Sequence, residues 1–155
     1  MLKKLTSIIF VLILVSNCGF TPIYKTNKNT NFQIKNISFE GDTIINNYLN
    51  LRLSRYSNIS KERKYSISTK TDYQKNVFSK DQAGNAIDFE LIAKTDFNIF
   101  KNEIFIKNIT YKEKFIMKNS NDEFEERDTE RIIKQNFATT ISNKLVTELL
   151  LFEWF

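Results

Sequence analysis

Few side chains in this sequence are equipped for covalent chemistry. Cys18 is the only cysteine among 155 residues, and there is no histidine. Without an imidazole, neither Ser-His-Asp nor Cys-His catalysis can be assembled, and His-ligated or Cys-rich metal sites go with them. Three glycines leave no phosphate-cradling loop and no dinucleotide fingerprint. Carboxylates and amines are what is left. Asp88 and Glu90 sit on alternate positions of an apolar–polar repeat, so one strand face would carry both, as acid/base hydrolysis by paired carboxylates requires. Lys70, Lys94, Lys112 and Lys114 occupy polar phases of neighbouring repeats and would offer flexible point charges to a phosphate-bearing ligand. No motif marks a pocket around the carboxylates. The chain is therefore read as a non-enzyme, with no cofactor and no metal.

The frame that positions these groups is small. A chain of 155 residues, 41% hydrophobic and 26% charged, suits one ordinary domain that needs no disulfide staples. The formal charge is +5, but lysine far outnumbers arginine, and Asn, Ile and Phe are abundant. Those residues have A- and T-rich codons, so basicity alone identifies no polyanionic partner. The charge is also uneven. Residues 18–121 hold 17 Lys/Arg against 10 Asp/Glu, whereas 122–155 hold 4 against 8. Lysine beside tyrosine at Lys64-Tyr65 and Tyr111-Lys112 is a pattern that nucleic-acid platforms use, but stacking needs exposed rings. Tyr111 falls in the apolar phase, and no nucleic-acid partner is expected.

Lys3 and Lys4 precede an almost wholly apolar run from Leu5 to Val15. About eleven residues are too few for a membrane-crossing helix, which takes roughly twenty. They suit the apolar core of a secretory signal. Leu14-Val15-Ser16-Asn17-Cys18 resembles the lipobox of bacterial lipoproteins, in which the thiol takes a diacylglycerol and the freed amine is acylated. Asn17 departs from the usual small residue before the cysteine. Cleavage before Cys18 would remove 17 residues and leave 138 with a charge of +3. The organisation expected is a signal peptide over 1–17, a lipidated tether over 18–31, and one domain over 32–155.

Within that domain, Phe32 to Phe39 alternates as a strand, with a phase slip at Asn36 that predicts a bulge. Gly41-Asp42-Thr43 ends it and supplies a helix N-cap. Ile44 to Tyr56 has helical period, with Ile44, Ile45, Tyr48, Leu49 and Tyr56 on one face, extended by Leu51 and Leu53. Tyr65, Ile67, Thr69, Thr71 and Tyr73 alternate as a half-buried antiparallel strand, and Lys75 to Asn85 reads as a loop. A hairpin follows, with Ile87 to Ile99 as one arm, a turn at Lys101-Asn102, and Ile104 to Met117 as the other. One bulge near Lys107-Asn108 aligns the apolar phases, placing Ala93 by Tyr111, Phe89 by Phe115, and Glu90 opposite Lys114. Six acidic residues between Asp122 and Arg131 favour a helix start. Ile133, Phe137, Ile141, Leu145 and Leu149 continue as an amphipathic helix. The fold class expected is α+β, β-α-β-β-β-α, with two helices on one face of a mainly antiparallel four-stranded sheet.

Cys18-Gly19-Phe20-Thr21-Pro22-Ile23-Tyr24 is more specific than the lipobox alone. It resembles the Cys-Gly-Phe-x-Pro-Leu-Tyr start of the lipopolysaccharide-assembly lipoprotein LptE family. Asp81-x-x-Gly84-x-Ala86 before a long amphipathic strand, Tyr111 on the next strand and the terminal helix continue the likeness across the mature chain. Departures are Asn17, the short turn and few alanines in the last helix. The resemblance implies a lipoprotein anchored through Cys18 in the outer membrane, with Gly19 favouring that sorting, and facing the periplasm and a barrel lumen. It implies partnership with an LptD-type β-barrel as plug and assembly factor, and delivery of lipopolysaccharide to the outer leaflet. A different periplasm-facing lipoprotein adaptor and a carboxylate-dependent hydrolase are the alternatives.

Overall fold

Residues 31–57 and 60–152 are described by a computed structural model. Cys18, the apolar run before it and the tether up to residue 30 lie outside the described residues, as do residues 153–155. The order is β1 (Phe32–Gly41), α1 (Thr43–Leu53) running into a 3-10 turn (Ser54–Tyr56), β2 (Arg63–Lys80), β3 (Ala86–Lys101), β4 (Ile104–Lys118) and α2 (Glu123–Leu151). Strands lie in the sheet in chain order; β1 runs parallel to β2, and the other pairings are antiparallel. Both helices cover one face, the α+β class and element order expected.

Alternation decides which strand residues meet the helices. Tyr65, Ile67, Leu91, Ala93, Phe97, Ile99 and Met117 are buried beneath Ile45, Leu49 and Leu53 of α1 and Ile133, Phe137, Ile141, Leu145 and Leu149 of α2. Leu-to-Ala truncation in such a core typically costs about 2–5 kcal/mol. The slip in β1 is real. Pairing jumps between Ile34 and Asn36, leaving Lys35 unpaired, so that Ile34 and Ile37 both turn to the core side.

The turn from β1 into α1 is set by one glycine. Gly41 has φ +96°, and a Cβ there would stand 2.0 Å from the Thr71 carbonyl oxygen. Asp42 then caps α1, its Oδ1 accepting from the Ile45 N–H at 2.8 Å. The helix face is narrower than expected. Ile45, Leu49 and Leu53, four apart, are buried, whereas Ile44 and Leu51 are exposed. Successive helical residues turn by about 100°, so positions one before or two after the stripe swing away from the core.

Two further expectations need correction. Lys75 to Asn85 is not a loop: β2 runs on to Lys80 and pairs with β3 down to Ala86. The strand outlasts its apolar pattern because β3 supplies ladder partners whatever its side chains are. The turn shrinks to Asp81–Asn85, where Asp81 Oδ1 accepts from the Ala83 and Asn85 amides. These bonds and that from the Asn85 side chain hold the Asp81 carboxyl below its usual range. The β3–β4 turn is Asn102-Glu103, not Lys101-Asn102. Both have positive φ, 51° and 67°, the combination whose twist matches a two-residue hairpin. Pairing shifts once, between Ile99 and Phe100. One bulge was expected near Lys107-Asn108 and one exists, at Ile106; beyond it the expected pairs are offset by two, so Thr95 faces Tyr111 and Leu91 faces Phe115. A shift of two leaves the side of the sheet unchanged.

Candidate functional site

The helices leave the second face of the sheet uncovered, and the four lysines singled out from sequence all stand on it. Lys70 lies opposite Asp96, its Nζ 3.8 Å from Glu40 Oε1. Lys94 lies between Asp72 on β2 and Lys112 on β4, its Nζ 3.1 Å from Asp96 Oδ2. Lys114 lies opposite Ile92 and reaches diagonally to Glu90 Oε1 at 2.8 Å. The expected Glu90–Lys114 pair thus exists, although Ile116 is the residue directly opposite Glu90. Among the described residues Lys112 has no carboxylate within 4 Å. It faces the like charge of Lys94, an unfavourable cross-strand pair.

Carboxylates temper this face. Asp96 accepts from the Thr110 hydroxyl and has Lys94 and Lys70 beside it, which together hold its carboxyl below the usual range. A shallow depression of about 450 Å³ opens where β1 ends and leaves β2 uncovered, lined by Asp42, Asp72, Gln74, Ile92, Lys94 and Lys112. The arrangement can hold an anionic group between Lys94 and Lys112 and a cationic or hydroxyl-bearing group against Asp72. Asp88 and Glu90 share the face as expected. Asp88 Oδ2 accepts from the Ser79 hydroxyl at 2.6 Å, and Glu90 is held by Lys114. Tyr111 is half-buried on the helix side, edge-on to Phe97.

A second charged group, unforeseen from sequence, lies between sheet and helices. Lys134 on α2 is 7% exposed. Its Nζ donates to Asp42 Oδ2 at 2.8 Å, stands 3.7 Å from Glu130 Oε1, and sits 3.7 Å above the Tyr73 ring. The Tyr73 hydroxyl donates to Glu130 Oε1 at 2.9 Å. Lys75 Nζ reaches Glu126 Oε1 at 2.6 Å and Glu130 Oε2 at 3.1 Å. Burial, with the hydrogen bond to Glu130, pushes the Tyr73 hydroxyl well above its ordinary value. Against the opposing effect of burial, Tyr73 and Lys75 hold Glu130 below the usual carboxylate range. Burial opposes the Lys75 charge too, but hydrogen bonds to Glu126 and Glu130 outweigh it and raise its pKa. Two signals pointed here. Lys75 continues the odd-numbered alternation of Tyr65 to Tyr73, and Lys134 falls inside the apolar stripe of α2.

This architecture is that of small bacterial lipoproteins. The rare lipoprotein B from Shewanella oneidensis superposes with a TM-score of 0.56 at 11% identity, over 76% of this chain and 98% of that one. The minor lipoprotein from Acinetobacter baumannii gives 0.52 at 15% identity, over 75% and 95%. An uncharacterized lipoprotein B from Nitrosomonas europaea gives 0.53 at 11% identity, over 79% and 86%. At such identities the likeness establishes the fold alone. No family model and no curated protein sequence matches the chain.

Proposed function

We propose that the protein is a lipoprotein of the outer membrane, anchored through Cys18, that plugs the lumen of an LptD-type β-barrel and serves lipopolysaccharide transport to the outer leaflet. The observation that carries this reading is the uncovered, polar sheet face on a lipoprotein fold. A barrel lumen is polar, so its plug must turn a polar surface outward while keeping its own core closed. Among the described residues no helix is long and apolar enough to cross a membrane. The Cys18 motif supplies the attachment. On the open face, Lys94 and Lys112, flanked by Lys70 and Lys114, are the residues proposed to meet lipopolysaccharide phosphates.

Purification from native membranes in mild detergent tests the partnership. A large β-barrel should co-elute; its absence, together with a measurable hydrolase activity lost in Glu90→Gln, would sink the reading. Mass spectrometry of the mature N-terminus should find Cys18 acylated, and Cys18→Ala should leave the fold unchanged. Reversing Lys94, Lys112 and Lys114 to Glu should weaken binding of a lipid A-type ligand at low salt. Unchanged binding would make this face a merely solvated one.

A further inference from the structure

The domain has a chemically distinct end. Phe32, where the described fold begins, pairs with Arg63 at the start of β2, and Tyr65 pairs with Lys101 at the end of β3. The Phe152 ring at the end of α2 lies 6.3 Å from the Tyr65 ring, with Lys107 Nζ 5.4 Å from its centre. Register thus gathers the N-terminal end of the fold, the β3–β4 turn and the end of α2 in one place. Apolar side chains stand out there: Ile104 is 71% exposed, Phe105 55% and Leu151 55%, with Ile106 beside them. Around them are Arg55, Lys61, Arg63, Lys64, Lys101 and Lys107. The carboxylates at this end are Glu62, Glu103 and Glu148, the last paired with Lys107. The opposite end also exposes apolar residues, among them Phe78 and Phe124. There they adjoin Asp81, Asp122, Glu123 and Glu125, which outnumber Lys80 and Lys118 at that end and give it the wrong sign for an anionic surface.

We propose that the end of the domain bearing the β3–β4 turn seats directly on an anionic phospholipid bilayer, as a second attachment beside the acyl chains on Cys18. Exposed apolar residues ringed by cations are what an interfacial contact needs: hydrocarbon to enter the headgroup boundary, and positive charge to meet the phosphates. The apex itself, Asn102-Glu103, is polar, so the hairpin lies obliquely, with Ile104, Phe105 and Ile106 entering and Lys64 and Lys101 reaching out to the headgroups. Thirteen residues separate Cys18 from Phe32, a short tether that brings this end to the membrane first. The nearness of a bilayer rests on the anchor reading; the affinity of the surface does not.

The test uses the chain from Gly19 onward, without acylation. Every core side chain described lies between Phe32 and Leu149, so this chain keeps the whole core, and its unfolding curve verifies that. It should sediment with vesicles of phosphatidylethanolamine and phosphatidylglycerol and not with phosphatidylcholine alone, and the binding should fade as salt rises. Ile104→Ser with Phe105→Ser should lower partitioning about tenfold or more, since each side chain loses its apolar burial in lipid. Lys64→Glu with Lys101→Glu should do likewise, while Lys80→Glu with Lys118→Glu at the far end should not. Binding of the tip variants equal to the parent's, or equal loss from the far-end pair, would overturn the proposal. An unmodified Cys18 in the cell would instead overturn the anchor and leave this measurement standing.

Discussion

The two ends of this domain are closed by different physics. Where the described fold begins, α1 and α2 are held to the sheet by rings: Phe32 stacks on Tyr56 at 5.5 Å, and Tyr65 lies against Phe32 and Phe152. Toward the start of α2, the same two layers are joined by ions and hydrogen bonds among Asp42, Tyr73, Lys75, Glu126, Glu130 and Lys134. Aromatic packing tolerates changes of pH and salt; a partly buried ion cluster does not. A buried ion pair is weak evidence for stability, because desolvation offsets attraction, yet removing one partner is costly. Burial at the two ends thus creates different vulnerabilities, one to volume and the other to charge.

Lys134→Met should give the largest effect, about 3–5 kcal/mol, because it strips the partly buried Asp42 carboxylate of its cation and leaves Glu130 with Lys75 alone. Urea unfolding measures this; a loss below about 1 kcal/mol would mean that water reaches the cluster. Tyr65→Ala should follow at about 3 kcal/mol, from lost ring burial. Tyr73→Phe should cost about 1.5–3 kcal/mol, the usual range for a hydrogen bond to a charged group. Lys114→Ala on the open face should cost within about 0.5 kcal/mol, since exposed pairs contribute little.

Titration separates the ends more sharply than truncation. Glu130 holds its proton less tightly when folded, so its contribution is complete above the ordinary carboxylate value of 4.5 and lost as pH falls toward the lower folded value. Lys75 and Tyr73 hold theirs more tightly when folded. Their contribution is complete below the ordinary values of 10.5 and 10.0 and lost as pH rises past them. Stability of the parent should therefore form a plateau with an acid and an alkaline shoulder. Glu130→Gln should flatten the acid shoulder, whereas Phe32→Ala, which removes no titratable group, should lower the whole curve without reshaping it. Equal shoulders in parent and Glu130→Gln would remove Glu130 from the explanation.

Much of this architecture could be read from periodicity. The β1 slip, the α2 stripe and the shared face of Lys70, Lys94, Lys112 and Lys114 all follow from side chains repeating at 2 or 3.6 residues, and the Asp42 cap from the break at Gly41-Asp42-Thr43. What escaped has physical reasons too. Strand pairing carried β2 past Tyr73 into a polar stretch that alternation alone reads as loop. A hairpin offset by two keeps every residue on its own side, so hydrophobic pattern cannot detect it. The charged seam escaped because the phases of Lys75 and Lys134 mark each as inward-facing singly, and only α2 laid over Tyr73 and Asp42 brings them together. The carboxylates that temper the open face were visible singly, but the Asp96 grouping with Thr110 required the true register.

Asp42 divides its carboxylate between two partners far apart in the chain. One oxygen accepts from Ile45, three residues on; the other accepts from Lys134, 92 residues on. The first helix is thus begun by a residue whose second bond waits for the last helix to be made. A polypeptide emerging from its N-terminus can form β1 and α1 in outline, but their junction is completed only when residue 134 has arrived. The junction between the first strand and the first helix is therefore sealed from the far end of the sequence, so a chain cut short before residue 134 would leave it half made.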